Sequence, residues 1–429
     1  MDLGNSIIWN MKKYISVIAA MGSILFGVNI HAQQILTLNA ILDTLSKSNP
    51  VLIMYNYEIR SMDEAARGAR SWMPPQLSLG QFMTPYNVGR WNREGDEPGM
   101  GSVMISGEQM IPNKIKLDAD EQYMKAMSPV EKEKLNATLN ELRFDAKSLY
   151  FEWIVLKRKL TLLGQNEKLL DFMLKNAELR YKNGLEKINA YYKAKAALGK
   201  TKNMQLMYES EIREKRIQLN SLMGRNAQID FEIEPFYTLN DYSSLVFDQT
   251  LFYHNRSDLK AIDKDINLTW LKRESEKQSL KPQFGIRYDH MIGFGGQPML
   301  YTIMGMVRIP MAKWSSKMNY ANMERLKWKV QALQSQKEML VNEYSGMAYS
   351  MRNELDLKKK QLTLYEENII PAIKNNYKTM QLAYEQNTED LFMLFDSWEI
   401  LNMTQLEYLD LLNQALKLQV ALERIIEMK

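Results

Sequence analysis

The sequence predicts a mainly α chain with a smaller β part, in which several copies close a membrane β-barrel above a barrel of long coiled-coil helices. Three observations predict it. The stretch Gln283–Pro310 alternates apolar and polar residues on both sides of a glycine-rich turn. A similar stretch lies in the first half of the chain, and each is followed by apolar residues stepping by three and four over many turns.

In QFGIRYDHM, Phe284, Ile286, Tyr288 and His290 share one side, with Arg287 and Asp289 on the other. In YTIMGMVRIP, Tyr301, Ile303, Gly305, Val307 and Ile309 oppose Thr302, Met304, Met306 and Arg308. Period-two alternation over about nine residues fits a strand crossing a bilayer, apolar toward lipid and polar toward a lumen. Strands are therefore expected near 283–291 and 301–309. The earlier hairpin is expected near 76–83 and 102–110, with Leu77 and Leu79 on one face, Val103 and Ile105 likewise, and an Ile111-Pro112 exit. Glu108, Arg287, Asp289 and Arg308 are the expected lumen-facing charges. Closed barrels need about eight strands or more, and open edges are not tolerated in lipid. Four strands per chain thus require other copies, and a homotrimer with twelve strands is the simplest closure.

From Met11 the chain reads MKKYISVIAAMGSILFGVNIHA, two lysines before an apolar run that ends at a small residue. This predicts a true start at Met11 and a signal peptide over 1–32, cut between Ala32 and Gln33. Cysteine is absent, which excludes disulfides, thiolate metal sites and a cysteine nucleophile. A net charge of +4 is too weak for nucleic acid. The histidines His31, His254 and His290 are too few and scattered for a His-based site, and no phosphate-binding glycine loop leads into a helix. No enzyme chemistry and no cofactor are expected.

From Leu36 two helices break at Asn49-Pro50, and the first strand follows Pro74-Pro75. A loop rich in Gly, Pro and charge spans 85–101. Pro129 starts or kinks a long helix in which Leu135, Leu139, Leu142, Ala146, Leu149, Trp153, Leu156, Leu160 and Leu163 keep coiled-coil spacing. Lys182-Asn183-Gly184 is a turn, and a second helix returns to about Met223, ending at Gly224. After a mixed segment, 225–255, the plan begins again. Arg256-Ser257-Asp258-Leu259 corresponds to Asn49-Pro50-Val51-Leu52, and Gly305 with Ile309-Pro310 corresponds to Gly107 with Ile111-Pro112. Leu333, Leu340, Tyr344, Met347, Met351, Leu355, Leu362, Tyr365 and Ile369 repeat the heptad stripe, and Pro371 should bend this helix. Asn387 stands where the first turn has glycine, and it tolerates a left-handed backbone. The repeats are thus 33–224 and 225–429.

The LTLNAILDTLSKSNP start, the MPPQLSL approach to strand one, the Ile-Pro strand exits, the RYKNGLEKINAYYKA turn and the doubled plan resemble the TolC-like outer-membrane efflux proteins. The resemblance covers essentially the whole mature chain. It implies a trimeric duct, with its β-barrel in the outer-membrane lipid and its helical barrel in the periplasm. Such a duct docks on an inner-membrane pump, proton-driven or ABC, through a periplasmic adaptor. Cargo would be small toxic solutes or metal ions. The exit duct of a type I protein secretion system shares the architecture and stays open as an alternative. A coiled-coil structural or adhesive surface protein fits the alternating strands less well.

The resemblance also places Gly184, Leu185, Asn387 and Thr388 at adaptor-contact turns. It sets Asp396 toward the tunnel near its closed end, with Met393 in the place of a companion acid. The stretch from Tyr288 to Glu324 is similar to the copper/silver-type branch, and thirty methionines invite a soft-metal reading for Met304 and Met306. Against it, methionine forms helix well and fills irregular gaps.

Overall fold

A computed structural model of the chain describes residues 35–92, 94–184 and 187–428. The expected signal peptide and the Gln33 start lie outside the described residues, as does Leu185. Among the described residues no helix is long and apolar enough to cross a membrane.

Helices α1 (Leu38–Ser48) and α2 (Pro50–Arg67) are separated at Asn49. The Asn49 side chain accepts from the Val51 amide at 2.9 Å, and Pro50 takes the first helical position, where its missing donor costs nothing. Asn49 Nδ2 also donates to the Leu222 carbonyl at 2.8 Å, which ties this joint to the C-terminal end of the first helical hairpin, opposite its turn. Gly224 sits in that joint at φ +64, where a Cβ would lie 2.3 Å from the Ser48 carbonyl oxygen. Only glycine meets both conditions.

One antiparallel sheet contains β2 (Gln76–Phe82), β3 (Ser102–Ile111), β5 (Gln283–Gly293) and β6 (Leu300–Arg308), in the order β2-β3-β5-β6. Leu77, Gly107, Tyr288 and Ile303 form one row across it, and Gln76, Glu108, Arg287 and Met304 form the next on the opposite face. A two-stranded parallel pair, β1 (Ile35–Leu36) with β4 (Glu232–Ile233), lies beside the helices. Neither it nor the short helix α6 (Gln249–Asn255) is legible in the sequence, because such short elements carry no periodicity.

After β3, α3 (Lys114–Lys125) stops at Ala126 and α4 (Met127–Lys182) runs for 56 residues, roughly 80 Å at ~1.5 Å per residue. Pro129 therefore falls in the first turn of α4. The return helix is α5 (Ile188–Leu222). In the second half, α7 (Ser257–Gln278) leads to β5, and α8 (Lys313–Leu364) follows β6 for 52 residues. A π-helical turn, Tyr365–Ile369, then joins it to α9 (Ile370–Glu385), and α10 (Leu391–Ile426) returns. Where the sequence predicts a bend at Pro371, the structure places this π turn just before the proline, with the Ile370 amide bonded to the Tyr365 carbonyl.

The stripe on α8 departs from the expected one at one position. Met347 is 38 % exposed and Ala348 is buried in its place. Val341, Ala348, Leu355 and Leu362, seven apart, are the buried line, and the small alanine lets the neighbouring helices approach. The main core joins α1, α4, α8 and α10 with the β4 segment. Within it Trp153 meets Phe231 edge-on at 5.3 Å, and Tyr150 donates to the Glu234 carbonyl at 2.6 Å.

The end of α10 is fixed by a polar knot. Arg256 Nε and Nη2 clasp Asp258 at 2.9 and 2.6 Å, and its Nη1 donates to the Ile425 carbonyl at 2.8 Å. Glu427, at φ +48, accepts from the Ser257 amide at 2.7 Å. Burial pushes the Glu427 carboxyl up from its ordinary range despite that bond.

Candidate functional site

Two regions carry the residues the sequence singled out, the sheet and the far end of the helical hairpins. On the sheet, alternation sorts side chains by face. Leu77, Leu79, Ile105, Phe284, Ile286, Tyr288, Ile303 and Val307 all stand on one face and are exposed. Glu108, Arg287, Asp289 and Arg308 stand together on the other. Arg287 Nε donates to Asp289 Oδ1 at 2.8 Å, and its Nη2 reaches Ser106 Oγ at 3.4 Å. Arg308 lies opposite Gln283 and bonds its Oε1 at 3.5 Å. The polar face is the sheltered one: Asp289 is 3 % exposed, whereas Ile303 on the apolar face is 66 % exposed. Water-seeking groups on a sheltered face and hydrocarbon on an exposed one suit a wall between a lumen and lipid. Met304 and Met306 share the polar face, beside Arg287 and Gly285 respectively.

At the outer end of each hairpin the backbone reverses through a left-handed residue, Gly184 at φ +71 and Asn387 at φ +57. The two turns touch. Arg180 Nη1 donates to Asn387 Oδ1 at 2.8 Å and its guanidinium lies 4.8 Å from the centre of the Tyr384 ring. Thr388 is held by two bonds to the Ala383 carbonyl, both 2.9 Å. Gly184, Asn387 and Thr388 are exposed.

Just behind the turns, Leu391, Leu394, Phe395 and Trp398 are buried with Leu170, Met173, Ala177 and Ala190, which packs the two hairpins together. Trp398 Nε1 donates to the buried Asn166 Oδ1 at 3.1 Å, and Asn166 Nδ2 donates to Asn402 Oδ1 at 2.6 Å. Met393 and Asp396 fall on another face, with Met393 exposed and the Asp396 side chain 42 % exposed. Asp396 is not a bare carboxylate, because Lys193 of α5 is hydrogen-bonded to its Oδ1. The Lys193 ammonium also lies over the Phe392 and Phe395 rings, 3.7 and 4.6 Å from their centres. Sequence reasoning missed Lys193. Its partner is two hundred and three positions away, and nothing local marks it among the chain's other lysines.

Neither protein-family models nor curated proteins give a match to this sequence. Solved structures do. The outer-membrane channel OprN superposes with a TM-score of 0.73 at 12 % identity, covering 91 % of this chain and 89 % of that one. CusC, whose structures concern transmembrane channel formation, gives 0.72 at 11 %, covering 91 % of each chain. The outer-membrane protein VceC of Vibrio cholerae gives 0.71 at 14 %, covering 91 % of this chain and 95 % of its own. Helical hairpins and a four-stranded sheet therefore stand in an arrangement that recurs in proteins with very little sequence in common: this chain has the TolC-like outer-membrane channel fold.

Proposed function

We propose that the chain is the exit duct of a tripartite efflux system. Three copies close a twelve-stranded barrel in the outer membrane over a periplasmic helical tunnel. An inner-membrane pump supplies small toxic solutes or metal ions through a periplasmic adaptor, and the duct itself is passive. The observation that carries this reading is the sheet. Among the described residues its edge strands β2 and β6 each pair on one side only, and its more exposed face is apolar. In hydrocarbon each unpaired backbone group costs several kcal/mol, so the sheet needs further strands at both edges. Identical copies supply them by placing β6 of one beside β2 of the next. The helices support the same assembly, since α5 exposes Tyr192, Leu206, Met207 and Ile217, and α8 exposes Met339 and Leu357. The outer-membrane channels that share the fold favour this placement.

The test is native mass measurement of the protein extracted from outer membranes in mild detergent, followed by insertion into a planar bilayer. A mass of about three chains with stepwise conductance is expected; a well-folded monomer that carries no current would end the reading.

A further inference from the structure

The five methionines of the four strands, Met104, Met110, Met291, Met304 and Met306, all lie on the polar face of the sheet. The apolar face has none, although most of its residues are Leu, Ile, Val, Phe and Tyr and it is where a hydrophobic filler would serve. Methionine used only for its oiliness belongs there. Here it is confined to the face that also bears Glu108, Arg287, Asp289 and Arg308, so oiliness does not account for its position.

The methionines are also arranged. Near the helix-proximal end, Met110 of β3 and Met306 of β6 flank Gly285 of β5 in one row. A Cβ on Gly285 would lie 2.5 Å from Met110 Sδ and 3.1 Å from Met306 Cε. The two thioether side chains thus lean across the glycine from both sides into the space a larger residue would fill. Met304 stands one row further along the same face, and Met104 lies directly opposite Met291 near the loop end. Directly opposed residues of this kind have Cβ atoms about 4.5–5.5 Å apart, close enough for both sulfurs to reach one ion. Glu108 and Asp289 stand between the two methionine tiers.

Thioether sulfur is a soft, neutral donor that prefers monovalent copper and silver to sodium, magnesium or zinc. It does not titrate, and without a negative charge it holds such ions loosely. A duct needs that combination, because a site must admit its ion and also let it leave. We propose that the Met110–Gly285–Met306 cradle and the Met104–Met291 pair form two tiers of low-affinity soft-cation sites along the barrel lumen. The proposal rests on the duct reading for the direction in which the tiers face. An apolar organic solute is the competing occupant. It would be served equally by leucine or phenylalanine, which the middle rows of this face lack.

The experiment uses the full-length protein purified in detergent, with silver nitrate in chloride-free buffer as the probe. Equilibrium dialysis gives stoichiometry and affinity, and X-ray absorption at the silver edge gives the neighbouring atoms. Wild-type protein should bind several Ag(I) per trimer with sulfur neighbours. Met110→Leu with Met306→Leu, which keeps volume and apolarity, should weaken the helix-proximal sites at least ten-fold. Met104→Leu with Met291→Leu should do the same at the loop end. The exposed helical pair Met347→Leu with Met403→Leu should change nothing. No silver bound by the wild type, or silver bound equally by the strand variants, overturns the proposal. Bilayer conductance of the same preparations keeps the two readings apart: a conducting trimer indifferent to silver sinks the soft-cation tiers alone, whereas a non-conducting monomer sinks the duct.

Discussion

The two helical hairpins share a plan but spend their apolar residues differently. Return helices α5 and α10 are 35 and 36 residues long. Helix α10 lies against α4, α8 and α9 of its own chain and buries Leu409, Leu412, Leu416, Val420 and ten other residues short of its last one, Ile426. Helix α5 packs chiefly on α4 and buries only Ala190, Ala194, Thr201, Leu219 and Asn220. Its larger apolar residues, Leu206 at 66 % and Ile217 at 43 % exposure, face outward. Helices of equal length with such different burial have different partners. Helix α10 is largely satisfied inside one chain, whereas α5 leaves an apolar flank on which the proposed neighbouring copy would pack.

That difference predicts unequal mutational costs. Leu416→Ala removes a fully buried side chain from α10 and should cost about 2–5 kcal/mol. Leu206→Ala on α5 should cost the isolated chain no more than about 0.5 kcal/mol. Guanidinium unfolding followed by circular dichroism compares the two; equal midpoint shifts would erase the distinction. The next effect is on assembly. Leu206→Glu with Ile217→Glu sets charge on the proposed interface and should drop the native mass from three chains toward one while each chain keeps its helix content. A trimer that survives both charges would show that α5 faces solvent.

How much of this was legible beforehand follows from periodicity. Both hairpins, all four long strands and the left-handed turn at Asn387 could be read, because alternation, heptads and turn chemistry are local signals. The β1–β4 pair was not, since two residues in each strand leave no pattern. Met347 was misplaced by one position because methionine and alanine suit a helix interior about equally, and only the neighbouring helix decides which is inside. Lys193 and Asn166 were missed because their importance lies in partners on another hairpin.

The tips sharpen the comparison at smaller scale. Gly184 and Asn387 hold the same left-handed backbone, but only Asn387 adds a side-chain bond to the other turn. Gly184→Ala and Asn387→Ala should each cost about 1–2 kcal/mol for the strained backbone. Asn387→Gly relieves the strain and loses only the Arg180 bond, so its thermal midpoint should stay within a degree or two of wild type. If Asn387→Gly is as damaging as Asn387→Ala, the Arg180 bond and not the backbone governs the turn.

The smallest stability effect is expected where the two hairpins meet in charge, at Lys193 and Asp396. The side chains are 28 % and 42 % exposed, so the pair contributes about 1 kcal/mol or less. Its effect on ions should be larger than its effect on stability. In a trimer with this face toward the tunnel, three ammonium–carboxylate pairs would ring the narrow end and nearly cancel. Asp396→Ala leaves three lysines there, which should move the bilayer reversal potential toward anion preference and remove any block by multivalent cations. Lys193→Ala leaves three carboxylates held close together, which should strengthen cation preference and deepen that block. Opposite shifts follow only if both groups of the pair face permeating ions. Removing both should bring the reversal potential back near wild type, because neither charge then stands alone. Identical reversal potentials in the two single variants would place the pair on the outside of the coiled coil, as an ordinary solvated contact between α5 and α10.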